Sequence, residues 1–234
     1  MDVERIFDVQ ARSRKLGHHP AFDDDEYKEL SAFSGEEVYQ FPEPIGSQTV
    51  YHHDHEEPET LPRYIDKGIK YADFKMGGTD IPIAKAIAEL GLLSDEEINV
   101  KGKEVAPLDL FLELVPPTPS LEEMEEMINS GIIKDVEVCD VVDVKGNKNG
   151  SEIRHVLYFF APDIQRVQTE VPGANPDAYL TALPAATFAK LFLEDEIEKK
   201  GVFPPEALRK EARDVFLERL ANKGIKVNEK IERH

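Results

Sequence analysis

A chain of 234 residues with 41% apolar and 32% charged side chains has a globular composition and is long enough to bury a substantial core. Its 47 acidic against 28 basic residues give a formal charge of −19, which argues against nucleic acid and anionic membrane surfaces as partners. No apolar stretch reaches membrane-spanning length, the Met1–Arg5 start lacks the apolar core of a secretory signal, and a single cysteine excludes an internal disulfide, so a reducing, cytoplasmic setting is expected.

Residues 1–46 are polar and turn-rich, with the acidic run Asp23-Asp24-Asp25-Glu26, and suggest an extended lead-in to a domain spanning 47–234. Two prolines and a glycine in Phe41-Pro42-Glu43-Pro44-Ile45-Gly46 exclude helix there. The β-branched and aromatic run Gln48–His55 predicts a strand, Pro58 and Pro62 bracket a loop able to start a short helical turn, and Ile69–Lys75 predicts a second strand closed by Gly77-Gly78. A helix follows, opened near Thr79 or Asp80, with Ile83, Ala86, Ile87 and Leu90 on its apolar face and Gly91 at its end. Short helices are expected over Asp109–Leu114 and Leu121–Ile128, the second opened by a Ser120/Glu123 capping box.

The clearest β signal is Val136–Val144 and Ile153–Ala161 around Gly146-Asn147-Lys148-Asn149-Gly150, a hairpin pattern. Helices over Pro184–Leu193 and from Pro204-Pro205 to about Asn222, then a last strand over 225–231, complete the pattern. The mixture predicts an α+β fold, a mixed and largely antiparallel sheet with helices packed on one face. The sequence carries no G-x-G-x-x-G, no G-x-x-x-x-G-K-[ST], no C-x-x-C and no H-E-x-x-H, so no Rossmann domain and no dinucleotide bound by this chain itself are expected.

The densest polar cluster is His52-His53-Asp54-His55-Glu56-Glu57. On a strand, His53, His55 and Glu57 would share a face, a set able to hold a divalent metal, although ligands in a row on one strand diverge more than a tetrahedral site wants. No metal is therefore assigned, and His55 is better suited to carry a proton or to hydrogen-bond a carboxylate. Arg63, on a proline-stiffened segment, suits bidentate capture of a carboxylate, and Lys75 before the glycine pair is a similar case. Cys139 sits among valines and reads as an inert thiol, the small-residue run Thr181–Ala186 as helix packing, and Glu194–Lys200 as a solvated charge run.

Four segments carry a resemblance. They are Phe41-Pro42-Glu43-Pro44-Ile45-Gly46, the run His55-Glu56-Glu57-Pro58-Glu59-Thr60-Leu61-Pro62-Arg63, the Phe74-Lys75 pair before glycines, and Thr181 to Ile225 with its Pro184-Ala185-Ala186 and Gly201-Val202-Phe203-Pro204-Pro205-Glu206 elements. In this order they resemble the C-terminal domain of saccharopine dehydrogenase-like proteins, a group that includes saccharopine reductases, lysine 6-dehydrogenases and carboxynorspermidine dehydrogenases. Ala182 departs from the glycine frequent in that family.

The resemblance implies a glyceraldehyde-3-phosphate dehydrogenase C-terminal-like domain that binds substrate and holds a homodimer together. NAD(P) would be supplied by a Rossmann-type dinucleotide-binding domain in the same or a separate chain. It implies an amino-acid-like substrate of the saccharopine or lysine type, His55 as a catalytic group, and Arg63, Lys75, Glu57 and Thr60 as substrate-binding residues. The rival expectations are a non-catalytic binding or assembly module and a metal-dependent hydrolase built on the histidine cluster.

Overall fold

The computed structural model describes residues 19–233. The Met1–Arg5 start and the first 18 residues of the expected lead-in lie outside the described residues. The chain divides into two compact units, residues 1–40 with 47–118, and residues 41–46 with 119–234. Among the described residues there are seven α-helices and eleven strands, every strand pairing is antiparallel, and no helix is long and apolar enough to cross a membrane. The fold is α+β.

The first unit begins with a hairpin of β1 (His19–Asp23) and β2 (Glu26–Leu30). Asp24 and Asp25 turn it with positive φ, 50° and 66°, a conformation that aspartate tolerates better than most residues. β3 (Glu37–Gln40) and β4 (Ser47–His52) form a second hairpin, joined by the proline-rich segment 41–46. Residues 19–40, expected as an extended lead-in, thus contain three paired strands. The strand expected over Ile69–Lys75 is divided: β5 (Tyr71–Ala72) pairs with β1, and β6 (Lys75–Met76) pairs with β4. The chain passes from one sheet to the other at Asp73-Phe74.

The 57–64 segment is a full two-turn helix, α1 (Glu57–Tyr64), rather than a loop with a helical turn, and it lies against β1 and β5. Pro58 sits in its first turn, where the missing N–H costs nothing. Helix α2 (Ile81–Glu89) buries Ile81 and Ala84 and, of the expected face, packs only Ile87 inward, leaving Ile83 52% and Leu90 76% exposed. The segment is so apolar that two helical stripes satisfy the same spacing, and tertiary packing chose the other one. Ala84 forms a core with Leu93 and with Leu108 of α3 (Pro107–Leu114), closed by Phe33, Ile87 and Phe111. A small hairpin of β7 (Ile98–Val100) and β8 (Lys103–Val105) connects the two helices.

The second unit opens with α4 (Leu121–Asn129), whose capping box forms as expected. Ser120 Oγ accepts from the Glu123 N–H at 3.2 Å, and Glu123 Oε2 accepts from the Ser120 N–H at 2.8 Å. The sheet has the order β11-β10-β9, with β9 (Cys139–Lys148), β10 (Ser151–Phe160) and β11 (Asn228–Arg233). The hairpin turn contracts to Asn149-Gly150, both at positive φ, so the strands run longer than the five-residue loop implied. Helices α5 (Ile164–Glu170), α6 (Pro176–Leu193) and α7 (Lys210–Asn222) supply Val167, Tyr179, Leu180 and Leu220 to a core that also holds Phe159 of the sheet. α6 starts two turns before the expected Pro184, capped by Asn175, whose Oδ1 accepts from the Ala178 N–H at 2.7 Å.

Candidate functional site

β4 ends at His52, so the expected continuous strand through His55 is not formed, and the three histidines take different environments. The His52 ring lies between Ser34, with Nδ1 3.0 Å from Oγ, and Asp73, with Nε2 3.3 Å from Oδ2. The ring rests on Gly35, whose φ of 63° favours glycine and where a Cβ would come 2.0 Å from the ring Cε1, so a side chain there would have to displace the His52 ring. His53 turns inward and is buried, and its backbone N–H donates to the Phe74 carbonyl at 3.1 Å. Its Nδ1 donates to the Asp54 carbonyl at 3.0 Å, and burial holds the imidazole below its ordinary pKa. His53 therefore does not join His55 and Glu57 on one face.

His55 lies flat on the Phe74 ring, with centroids 4.1 Å apart and planes 12° from parallel. Its Nδ1 donates to Oε2 of Glu57, the first residue of α1, and lies 3.7 Å from Glu56 Oε2. Burial opposes ionisation of Glu57, but the hydrogen bond and charge of His55 outweigh it and hold the carboxyl below the usual range. His55, Glu56 and Glu57 each offer one ligand atom, all within 4.8 Å of one another, which would be the donor set for a cation here in place of the expected His53, His55 and Glu57.

Arg63 stands in the last turn of α1. Its Nε donates to the Tyr27 hydroxyl at 3.1 Å, its guanidinium carbon lies 4.9 Å from the Tyr27 ring centroid, and the same hydroxyl donates to the Glu59 carbonyl at 3.2 Å. Lys75 pairs in register with His52, and its Nζ lies 2.6 Å from Glu37 Oε2 and 3.7 Å from Asp73 Oδ2. Thr60 is half-buried in α1.

The structure thus joins His55 with Glu57, whereas Arg63 and Lys75 are held by Tyr27 and by Glu37 with Asp73. Sequence reasoning did not anticipate Tyr27, Ser34, Glu37 or Asp73 in these roles. Each meets its partner from a segment 18 or more residues away or across a crossover, and no local spacing signals the contact. Cys139 is half-buried, and burial pushes its thiol up to about 11, which fits an inert residue.

Residues 9–225 match the saccharopine dehydrogenase C-terminal domain family. The chain belongs to that family. It is similar to carboxynorspermidine synthase of Vibrio cholerae serotype O1, at 28% identity over 207 residues, covering 87% of this chain and 46% of that protein. The family domain therefore spans about half the length of the curated relative it matches.

Proposed function

We propose that this chain is the substrate-binding part of an NAD(P)-dependent oxidoreductase acting on a C–N bond of an amino-acid or carboxylated polyamine substrate. The supporting observation is the similarity of nearly the whole domain to about half of a carboxynorspermidine synthase. In this reading a Rossmann-type domain, in the same or another chain, holds NAD(P), and two copies associate through the present domain. The cofactor supplies or accepts hydride at the carbon of an imine or secondary amine.

The residues of this chain bind and orient. Arg63 is exposed, carries a permanent charge and has one N–H committed to a neutral phenol, which suits it to a substrate carboxylate. His55 has a side chain 41% exposed and a fixed Nδ1, which suits it to pass a proton to or from the reacting nitrogen. Lys75, Thr60 and Glu57 complete the residues proposed around the substrate. Glu37 and Asp73 moderate the charge of Lys75.

The test joins this chain to its dinucleotide-binding domain and follows NAD(P)H consumption with carboxylated imines. Arg63→Ala should lower kcat/KM by about 10- to 100-fold, mainly through KM, the loss expected for a charge-assisted hydrogen bond. Unchanged kcat/KM in Arg63→Ala would remove that residue from the site. Absence of turnover in the joined protein would sink the oxidoreductase reading.

A further inference from the structure

The His55 ring is restrained from two independent elements. Glu57 begins α1, and Phe74 lies in the crossover between β5 and β6 with its carbonyl accepting the His53 N–H. The stack on Phe74 fixes the plane of the imidazole, and the bond to Glu57 fixes its rotation within that plane. A carboxylate can only accept, so the proton shared with it belongs to Nδ1. We propose that Glu57 and Phe74 are positioning residues for His55, the carboxylate setting the Nδ1–H tautomer and the aromatic ring setting the plane, so that Nε2 is the nitrogen that exchanges a proton with substrate. This rests on the proposed role of His55 and reassigns Glu57 from substrate contact to support.

Three features carry the inference. The His55 side chain is 41% exposed, and its Nδ1 faces Glu57 at the start of α1. Glu57 is an acceptor fixed on the first turn of α1, so its bond to Nδ1 leaves Nε2 as the ring nitrogen that lacks the proton in the neutral form, as with orienting carboxylates behind other working histidines. The Phe74 carbonyl accepts from the N–H of His53, two places before His55, which ties the backbone beneath the ring to the segment that carries His55. In the reductive direction a nicotinamide cofactor would supply hydride to the substrate carbon, and the substrate nitrogen would take the proton. The Nε2–H bond breaks, an N–H bond forms on the substrate, and His55 passes from imidazolium to the neutral Nδ1–H form while Glu57 keeps its charge.

Long-range 1H–15N correlation spectra of this chain test the arrangement without cofactor or substrate. At a pH where His55 is neutral, it should show the Nδ1–H tautomer, against the Nε2–H preference of a free histidine side chain. Glu57→Ala should return it to Nε2–H. Phe74→Leu should keep the Nδ1–H form but abolish the ring-current shift of the His55 carbon-bound protons. In the joined enzyme, Glu57→Ala should lower kcat about tenfold with KM changed less than about twofold. An Nε2–H tautomer in the unmodified chain, or no change in Glu57→Ala, overturns the positioning roles. Failure of the proton-carrier reading has a different signature, full activity in His55→Ala with the spectra of the unmodified chain as described.

Discussion

The two ends of helix α1 each set a basic side chain against an aromatic ring, and they do it differently. Just before the first turn, His55 is stacked face to face on Phe74 and tied to the carboxylate of Glu57, so its ring has little freedom left. At the last turn, Arg63 lies over Tyr27 at 4.9 Å and bonds only a neutral hydroxyl, and no carboxylate comes within ion-pairing distance of it among the described residues. The first arrangement trades reach for orientation, as proton transfer requires, because a misplaced ring forfeits the transfer. The second keeps reach and charge, as capture of an anionic group requires. A third basic residue, Lys75, stands between the two cases, paired with two carboxylates of its own chain that moderate its charge.

The contrast can be broken most severely at Phe74. Phe74→Ala removes the surface under His55 and the edge contact with His53, whose ring centroid is 6.3 Å away. The expected loss is about 2 kcal/mol, less than for a fully buried phenylalanine, measured as a shift in urea midpoint at constant slope. A loss confined to a few tenths would mean that the stack carries no packing energy.

His53→Gln should have a smaller and pH-dependent effect. Burial lowers the His53 pKa, so the unfolded chain takes up a proton below about pH 6.5 that the fold refuses. The associated stability is present above that pH and lost as pH falls toward the folded value. Unfolding curves at about pH 7.5 and 5.5 should therefore converge in His53→Gln relative to the unmodified chain. Equal pH dependence in both would assign the acid sensitivity elsewhere.

The smallest effect is expected at the other end of the helix. Tyr27→Phe keeps the ring under Arg63 but removes the hydroxyl that bridges Arg63 and the Glu59 carbonyl. The site is exposed, so the cost should be about 0.5 kcal/mol or less. A cost equal to that of Phe74→Ala would erase the distinction between the two ends.

How much of this was legible in the sequence depended on how far apart the partners lie. The β9–β10 hairpin and the Ser120 capping box are closed by neighbours within a few residues, and their residue types announced them. The strands between residues 19 and 40 were not legible, because Glu26–Leu30 is an exposed polar edge and β1 finds its other partner fifty residues later. α2 showed the right period but the wrong face, since its near-continuous apolar run contains two equivalent stripes. In the candidate site, residue chemistry singled out His55, Glu57, Arg63 and Lys75, but nothing local gave their partners. That Glu57 would face His55 depended on the strand ending at His52 and a helix beginning five residues later, which the prolines at 58 and 62 only partly signalled.

The six residues from Tyr71 to Met76 belong to two sheets at once, hydrogen-bonded to β1 through Tyr71-Ala72 and to β4 through Lys75-Met76. Such a segment works as a splice. Losing the pairing to β1 or to β4 loosens the crossover they share, so local opening of one sheet is coupled to the other. Phe74 sits at the middle of the splice, so the surface beneath His55 is tied through its own backbone to both sheets.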